Sequence, residues 1–103
     1  MDYQISYSKE FASSLKQILI SWRELQVEET TIDRFIGDIY HVVDSLRTFP
    51  LRFEDVSNKY GFDRATRRCL IGKKYAFFYR VDEEKRVVLI GKLYNQSQFE
   101  LKF

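Results

Sequence analysis

Between Phe49 and Thr66 the spacing of apolar residues changes, and that one change limits the chain to folds that set helices against a sheet. Before it, apolar residues recur at the three- and four-residue intervals of amphipathic helices. After it they fall in short strand-like runs broken by Gly72-Lys73-Lys74 and by Asp82-Glu83-Glu84-Lys85, as in strands joined by tight turns.

Each segment can be placed from this pattern. Tyr3, Ile5 and Tyr7 alternate with polar residues, which predicts an opening strand. Ser8 is suited to cap a first helix, with Glu10 in its positive first turn. Phe11, Leu15, Ile18, Leu19 and Trp22 then form one apolar stripe. A second helix carries Ile32, Phe35, Ile36, Ile39, Val43 and Leu46, with Thr30 and Asp33 expected to form a capping box and Pro50 to end it. The short polar link between the helices favours an antiparallel pair. An irregular connection follows over 51–63, with Gly61 at a turn. Strands are then predicted over Thr66–Ile71, Tyr75–Val81 and Arg86–Tyr94, and Gln98–Phe103 as a last edge strand or a tail that orders on a partner. The fold class is α+β: an N-terminal strand, an antiparallel helical hairpin, then an antiparallel sheet of three to four strands. Residues 1–103 are expected to form one domain, with the helices on one sheet face and the other face open for function.

Composition excludes several classes. Nine Phe and seven Tyr supply core volume at this length, since each aromatic ring covers roughly 150–250 Å². Cys69 is the one cysteine, which rules out an internal disulfide scaffold. The sequence contains no apolar run of the ~18 residues a membrane span requires. Its first residues lack the basic start and apolar centre of a signal peptide, so the expected location is the cytoplasm.

Charge is unevenly divided. Residues 1–62 hold seven Lys/Arg against ten Asp/Glu, whereas residues 63–103 hold ten against five. Arg64, Arg67, Arg68, Lys73, Lys74 and Arg80 fall in an 18-residue stretch without an acid. Such a block implies an anionic partner, nucleic acid foremost. Alternation puts either Arg67 or Arg68 on the exposed sheet face, while Phe77 and Tyr79 read as core. His41 is the one histidine, so a multi-histidine metal site within the chain is excluded. It reads as a surface residue on the second helix, and Cys69 as a packed thiol. No phosphate-cradling glycine loop is present.

The run from Thr66 through Gly72 to Asp82 resembles the RelE/ParE superfamily, the toxins of bacterial type II toxin–antitoxin systems. Leu46-Arg47-Thr48-Phe49-Pro50 before it and Val87-Val88-Leu89-Ile90-Gly91 after it extend the likeness over most of the chain. The resemblance implies a RelE-like fold and a cytoplasmic toxin that serves plasmid stabilisation. It also implies a cognate antitoxin bound in a hetero-oligomer, with neither a cofactor, a metal nor a membrane partner. Its leading implication is an endoribonuclease that cuts messenger RNA on the ribosome and so inhibits translation. The alternatives are a non-enzymatic inhibitor of DNA gyrase and a catalytically degenerate toxin kept for antitoxin binding. Cleavage through the RNA 2′-hydroxyl needs proton transfer and cations for the developing phosphorane charge. Arg67, Arg68, Arg80 and Tyr94 are the catalytic candidates, and Arg64, Lys73, Lys74 and Lys92 the candidates for RNA phosphate binding. Cys69 and Ala76 stand at positions that are often basic in the nuclease branch.

Overall fold

The structure, a computed structural model, describes residues 2–97 and 103. Its elements are β1 (Gln4–Tyr7), α1 (Lys9–Glu24), α2 (Glu29–Ser45), the one-turn α3 (Ser57–Tyr60), β2 (Arg67–Ile71), β3 (Tyr75–Asp82) and β4 (Val87–Asn95). The four strands form a sheet in the order β1-β4-β3-β2.

Ser8 caps α1, its Oγ accepting from the Phe11 N–H at 3.0 Å. The capping box expected from Thr30 and Asp33 is not made. Helix α2 starts earlier, with Glu28 as its N-cap and no side-chain cap bond. Thr30 therefore lies inside the first turn, where Glu29 instead meets the positive helix end. At the other end α2 stops at Ser45, before Pro50 comes into play. The Ser45 Oγ donates back to the Val42 carbonyl at 2.6 Å, a local bond that competes with helix continuation. Trp22 near the end of α1 meets Phe35 of α2 at 4.7 Å between ring centroids, and Tyr7 just before α1 meets Tyr40 at 6.0 Å. The two helices are thus antiparallel, as their short link requires.

The sheet departs from the all-antiparallel expectation on one side. β2–β3 and β3–β4 are antiparallel. β1, however, pairs parallel with β4, from Gln4↔Val87 to Tyr7↔Ile90. The helical hairpin after β1 provides the long connection that parallel pairing needs. The fourth strand is therefore the N-terminal one. The strand or tail expected at Gln98–Phe103 lies outside the described residues, Phe103 excepted.

One sheet face packs on the helices. Cys69, Ile71, Phe77, Tyr79, Val88, Ile90 and Leu93 meet Phe11, Phe35, Ile39, Val43 and Leu46 in the main core. Tyr79 satisfies its hydroxyl by donating to the Pro50 carbonyl at 2.9 Å, which ties the end of the helical hairpin to β3. The opposite face is less open than expected. A smaller cluster of Val56, Ala76, Phe78 and Tyr94 is covered there by Tyr60, Phe62 and Phe103. Gly61 (φ +73°) closes α3 in a left-handed conformation and so allows Phe62 to turn back onto Phe78. A bulge alters β4 at this point. Phe77 pairs with Leu93 but Tyr79 pairs with Ile90, so Gly91 and Lys92 together oppose Phe78.

Burial leaves a pH signature. It pushes the Cys69 thiol and the Tyr79 phenol each up to about 12. Both groups are neutral when protonated, so the folded state holds their protons more tightly than the unfolded chain. Stability from them is complete below the unfolded pKa values of about 8.5 and 10, and is lost as pH rises through about 12. Urea midpoints should therefore fall steadily across that alkaline window. Tyr79→Phe should flatten the fall, and an unchanged slope in that variant would show that Tyr79 does not contribute to it.

Candidate functional site

Strand alternation separates the two adjacent arginines of β2. Arg67 pairs with Tyr79, on the helix side of the sheet. Its Nη1 donates to the Phe53 carbonyl at 2.5 Å and the Leu51 carbonyl at 3.2 Å, pinning the connection that follows α2. Arg67 nevertheless lines a groove with Arg64 and Arg80 while those carbonyls hold its guanidinium. Arg68 pairs with Phe78 and lies on the opposite face, where its Nη1 donates to the Tyr60 hydroxyl at 2.6 Å.

Arg80 and Tyr94 occupy that same face. Arg80 donates from Nε to the Thr66 Oγ1 at 3.0 Å, and its guanidinium carbon lies 4.1 Å from the Phe103 ring centroid and 5.7 Å from that of Phe62. Partial burial lowers its pKa, Arg64 nearby adds to the effect, and Asp63 opposes it. Tyr94 stacks on Phe78 with centroids 5.0 Å apart and is only 3% exposed. Its hydroxyl has no hydrogen-bond partner among the described residues. Burial, reinforced by Tyr60, pushes the phenol up to about 12, against the pull of Arg68. Arg68 lies near enough to favour the ionised form but directs its Nη1 at Tyr60. Tyr94 is consequently a neutral phenol at pH 7.

The other basic candidates lie around the edges of the sheet. Arg64 lies beside Arg80 at one end, and Lys73 and Lys74 occupy the exposed β2–β3 turn at the other. Six residues along β3, from Arg80 to Lys74, correspond to about 20 Å. Lys92 sits in the β4 bulge, half-buried, and borders a groove with Lys9, Ser13 and Gln17 of α1. Among the described residues, the ion pairs are Arg23–Glu29 and Arg47–Asp44, both at the helices. Among the described residues none of the basic candidates forms an ion pair, although Asp63 acts on Arg80. At the Arg80 end, Arg64, Arg67, Arg80 and Lys85 border a groove with Asp82, Glu83 and Glu84, so both signs of charge meet there.

Cys69 is fully buried in the core, and its raised pKa keeps it a thiol. His41 is exposed on α2. Among the described residues, no group of three or more His, Cys, Asp or Glu could hold a metal ion. Nor is any described helix long and apolar enough to cross a membrane. Sequence reasoning missed Tyr60, Phe62, Thr66 and Phe103, which surround the arginines. The aromatic residues on either side of Gly61 were the available signal, although their contacts depend on how an irregular loop folds back.

No protein-family model matches the chain, and no curated protein matches it. Among solved structures, it is similar to a chain of the toxin–antitoxin complex RelBE2 from Mycobacterium tuberculosis, with a TM-score of 0.61. That likeness covers 92% of this chain and 99% of the other at 17% sequence identity. The fold is that of a RelE-type toxin, as the resemblance had implied.

Proposed function

We propose that this protein is the toxin of a type II toxin–antitoxin pair and that it cleaves messenger RNA on the ribosome. The observation that carries the reading is the convergence of Arg68, Arg80 and Tyr94 on the sheet face away from the helices. In this mechanism the 2′-oxygen of the message bonds to phosphorus and the P–O5′ bond breaks. A 2′,3′-cyclic phosphate and a 5′-hydroxyl result. Arg68 and Arg80 balance the charge that develops on the non-bridging oxygens. Tyr94, protonated at rest, gives its proton to the leaving 5′-oxygen. The 2′-hydroxyl proton passes to solvent water, and Lys92, two residues from Tyr94 on β4, adds positive charge beside the phosphate. Arg64, Lys73 and Lys74 hold the flanking phosphates. Arg67 acts structurally.

The antitoxin has a natural place on the helical hairpin. Tyr7, Phe11, Leu15, Leu19, Ile20 and Tyr40 line an apolar groove of about 520 Å³ there. It suits the apolar face of an amphipathic helix, with Lys16 and Arg23 at its border to meet acidic side chains. The similar fold in a toxin–antitoxin complex supports such a partner.

A second reading, inhibition of DNA gyrase without catalysis, draws on the burial of the Tyr94 hydroxyl and the engagement of Arg68 by Tyr60. Regulated expression in a bacterial host, with pulse labelling of protein and DNA synthesis, separates the two. The nuclease reading expects translation to stop first, with ribosome-bound messages cut. A replication block with continued translation would transfer the function to gyrase. Normal growth would leave antitoxin binding as the remaining role.

A further inference from the structure

Arg80 is held in an unusual way for a cation at a nucleic-acid face. Its Nε is committed to Thr66, while neither Nη group donates to any described residue. The guanidinium has Phe103 stacked at 4.1 Å and Phe62 at 5.7 Å. A ring over the guanidinium attracts its charge but leaves the in-plane N–H donors available. Phe103 in turn has a seat of its own. Its carbonyl accepts from the Lys92 N–H at 2.6 Å. It also lies against Gly91, where an added Cβ would come within 2.8 Å of the Phe103 carbonyl and 3.0 Å of its ring. Gly91 is not among the positive-φ residues, so its backbone conformation does not call for glycine. The space taken by Phe103 does.

We infer that Phe103 is a positioning residue for Arg80: seated on Gly91, its ring fixes the plane of the guanidinium so that both Nη groups are left to grip one phosphate. This rests on the reading of Arg80 as a phosphate ligand and adds the part that orients it. Thr66 fixes one edge of the guanidinium, and the stacked ring restricts rotation about the bond that would otherwise swing the Nη pair away. A planar two-pronged donor matches two phosphate oxygens, and preorganisation reduces the entropy lost on binding.

The test is titration of the full chain with inorganic phosphate at fixed ionic strength, following the Arg80 Nε–H resonance by nitrogen-15 NMR. Wild-type protein should show a sharp, protected Arg80 signal that shifts on binding. Phe103→Ala should broaden that signal and weaken phosphate binding about three- to tenfold, and Phe103→Trp should restore both. Gly91→Ala should reproduce the Phe103→Ala result without altering either Arg80 or the ring. Arg80→Ala serves as the reference for the underlying reading. If Arg80→Ala binds phosphate as well as wild type, that reading fails. If Arg80→Ala loses binding while Phe103→Ala and Gly91→Ala keep the wild-type affinity and signal, the positioning role is overturned and the phosphate ligand stands. Tighter binding by Phe103→Ala would also overturn it, since the ring would then be blocking the site.

Discussion

Phe77→Ala should destabilise the protein by about 3–5 kcal/mol, a large share of the roughly 5–15 kcal/mol that holds a domain folded. Phe77 is fully buried and faces the helices from the middle of β3. Its ring meets Phe11 of α1 edge-on at 6.3 Å and Tyr79 at 6.2 Å, and its strand neighbours are Cys69 and Leu93. The surroundings have little freedom to close on the space it would leave. Tyr79 is fixed through its hydroxyl to Pro50, and the Leu93 N–H is fixed to the Ser14 Oγ at 3.1 Å. A cavity that cannot collapse adds its own cost to the lost transfer energy. Urea unfolding followed by circular dichroism would measure the change, with an unchanged slope identifying it as loss of native packing. A loss below about 1 kcal/mol would show that the helix–sheet contact is not packed as described.

The parts of this fold that sequence revealed are those governed by local period and local chemistry. Ser8 is followed by a helix because its side chain reaches an N–H three residues away. Strands β2 and β3 could be located because each turn beside them carries residues suited to turning, and Gly72 takes a positive φ of 62°. Alternation also limited the choice to one of Arg67 and Arg68 on the sheet face away from the helices. Which one it was depended on the register with Tyr79 and Phe78, a relation between strands. Non-local geometry accounts for the rest. β1 joins β4 across some eighty residues, and its alternating pattern is the same whether it pairs parallel or antiparallel. The β4 bulge appears as a run of apolar residues, Val87 to Ile90, with no mark of the extra residue beyond Gly91. Tyr60 and Phe62 belong to a segment without period, yet they decide how much of the second sheet face is covered. Thr30 failed as a cap because Glu28, two residues earlier, already ends the extended link. Local signals can compete within a turn, and packing then selects between them.

The adjacent arginines of β2 should respond to mutation in opposite ways. Arg68→Ala with Arg80→Ala should cut toxicity and message cleavage at least about a hundredfold, while costing only about 1–2 kcal/mol of stability. Both side chains lie on the face away from the main core, and their partners are a hydroxyl each, Tyr60 for Arg68 and Thr66 for Arg80. Removing them takes away the charges that would meet a phosphate but leaves the sheet and helices in contact. Arg67→Ala should lower stability by about 2 kcal/mol, because it abandons the carbonyls of Leu51 and Phe53 and frees the connection that follows α2. Its toxicity should decline only as far as its folded fraction does, and a stabilised background should restore it. Plating efficiency on induction, message cleavage on purified ribosomes and urea midpoints for the same proteins would give the comparison. A folded Arg68/Arg80 double variant that still kills and cleaves would remove this face from the mechanism. A stable but inactive Arg67→Ala protein would instead place the reacting phosphate at the helix-side edge of β2, where Arg67 meets Leu51 and Phe53. Register between β2 and β3 thus places two neighbouring residues of identical chemistry on opposite sheet faces, Arg67 beside Tyr79 and Arg68 beside Phe78.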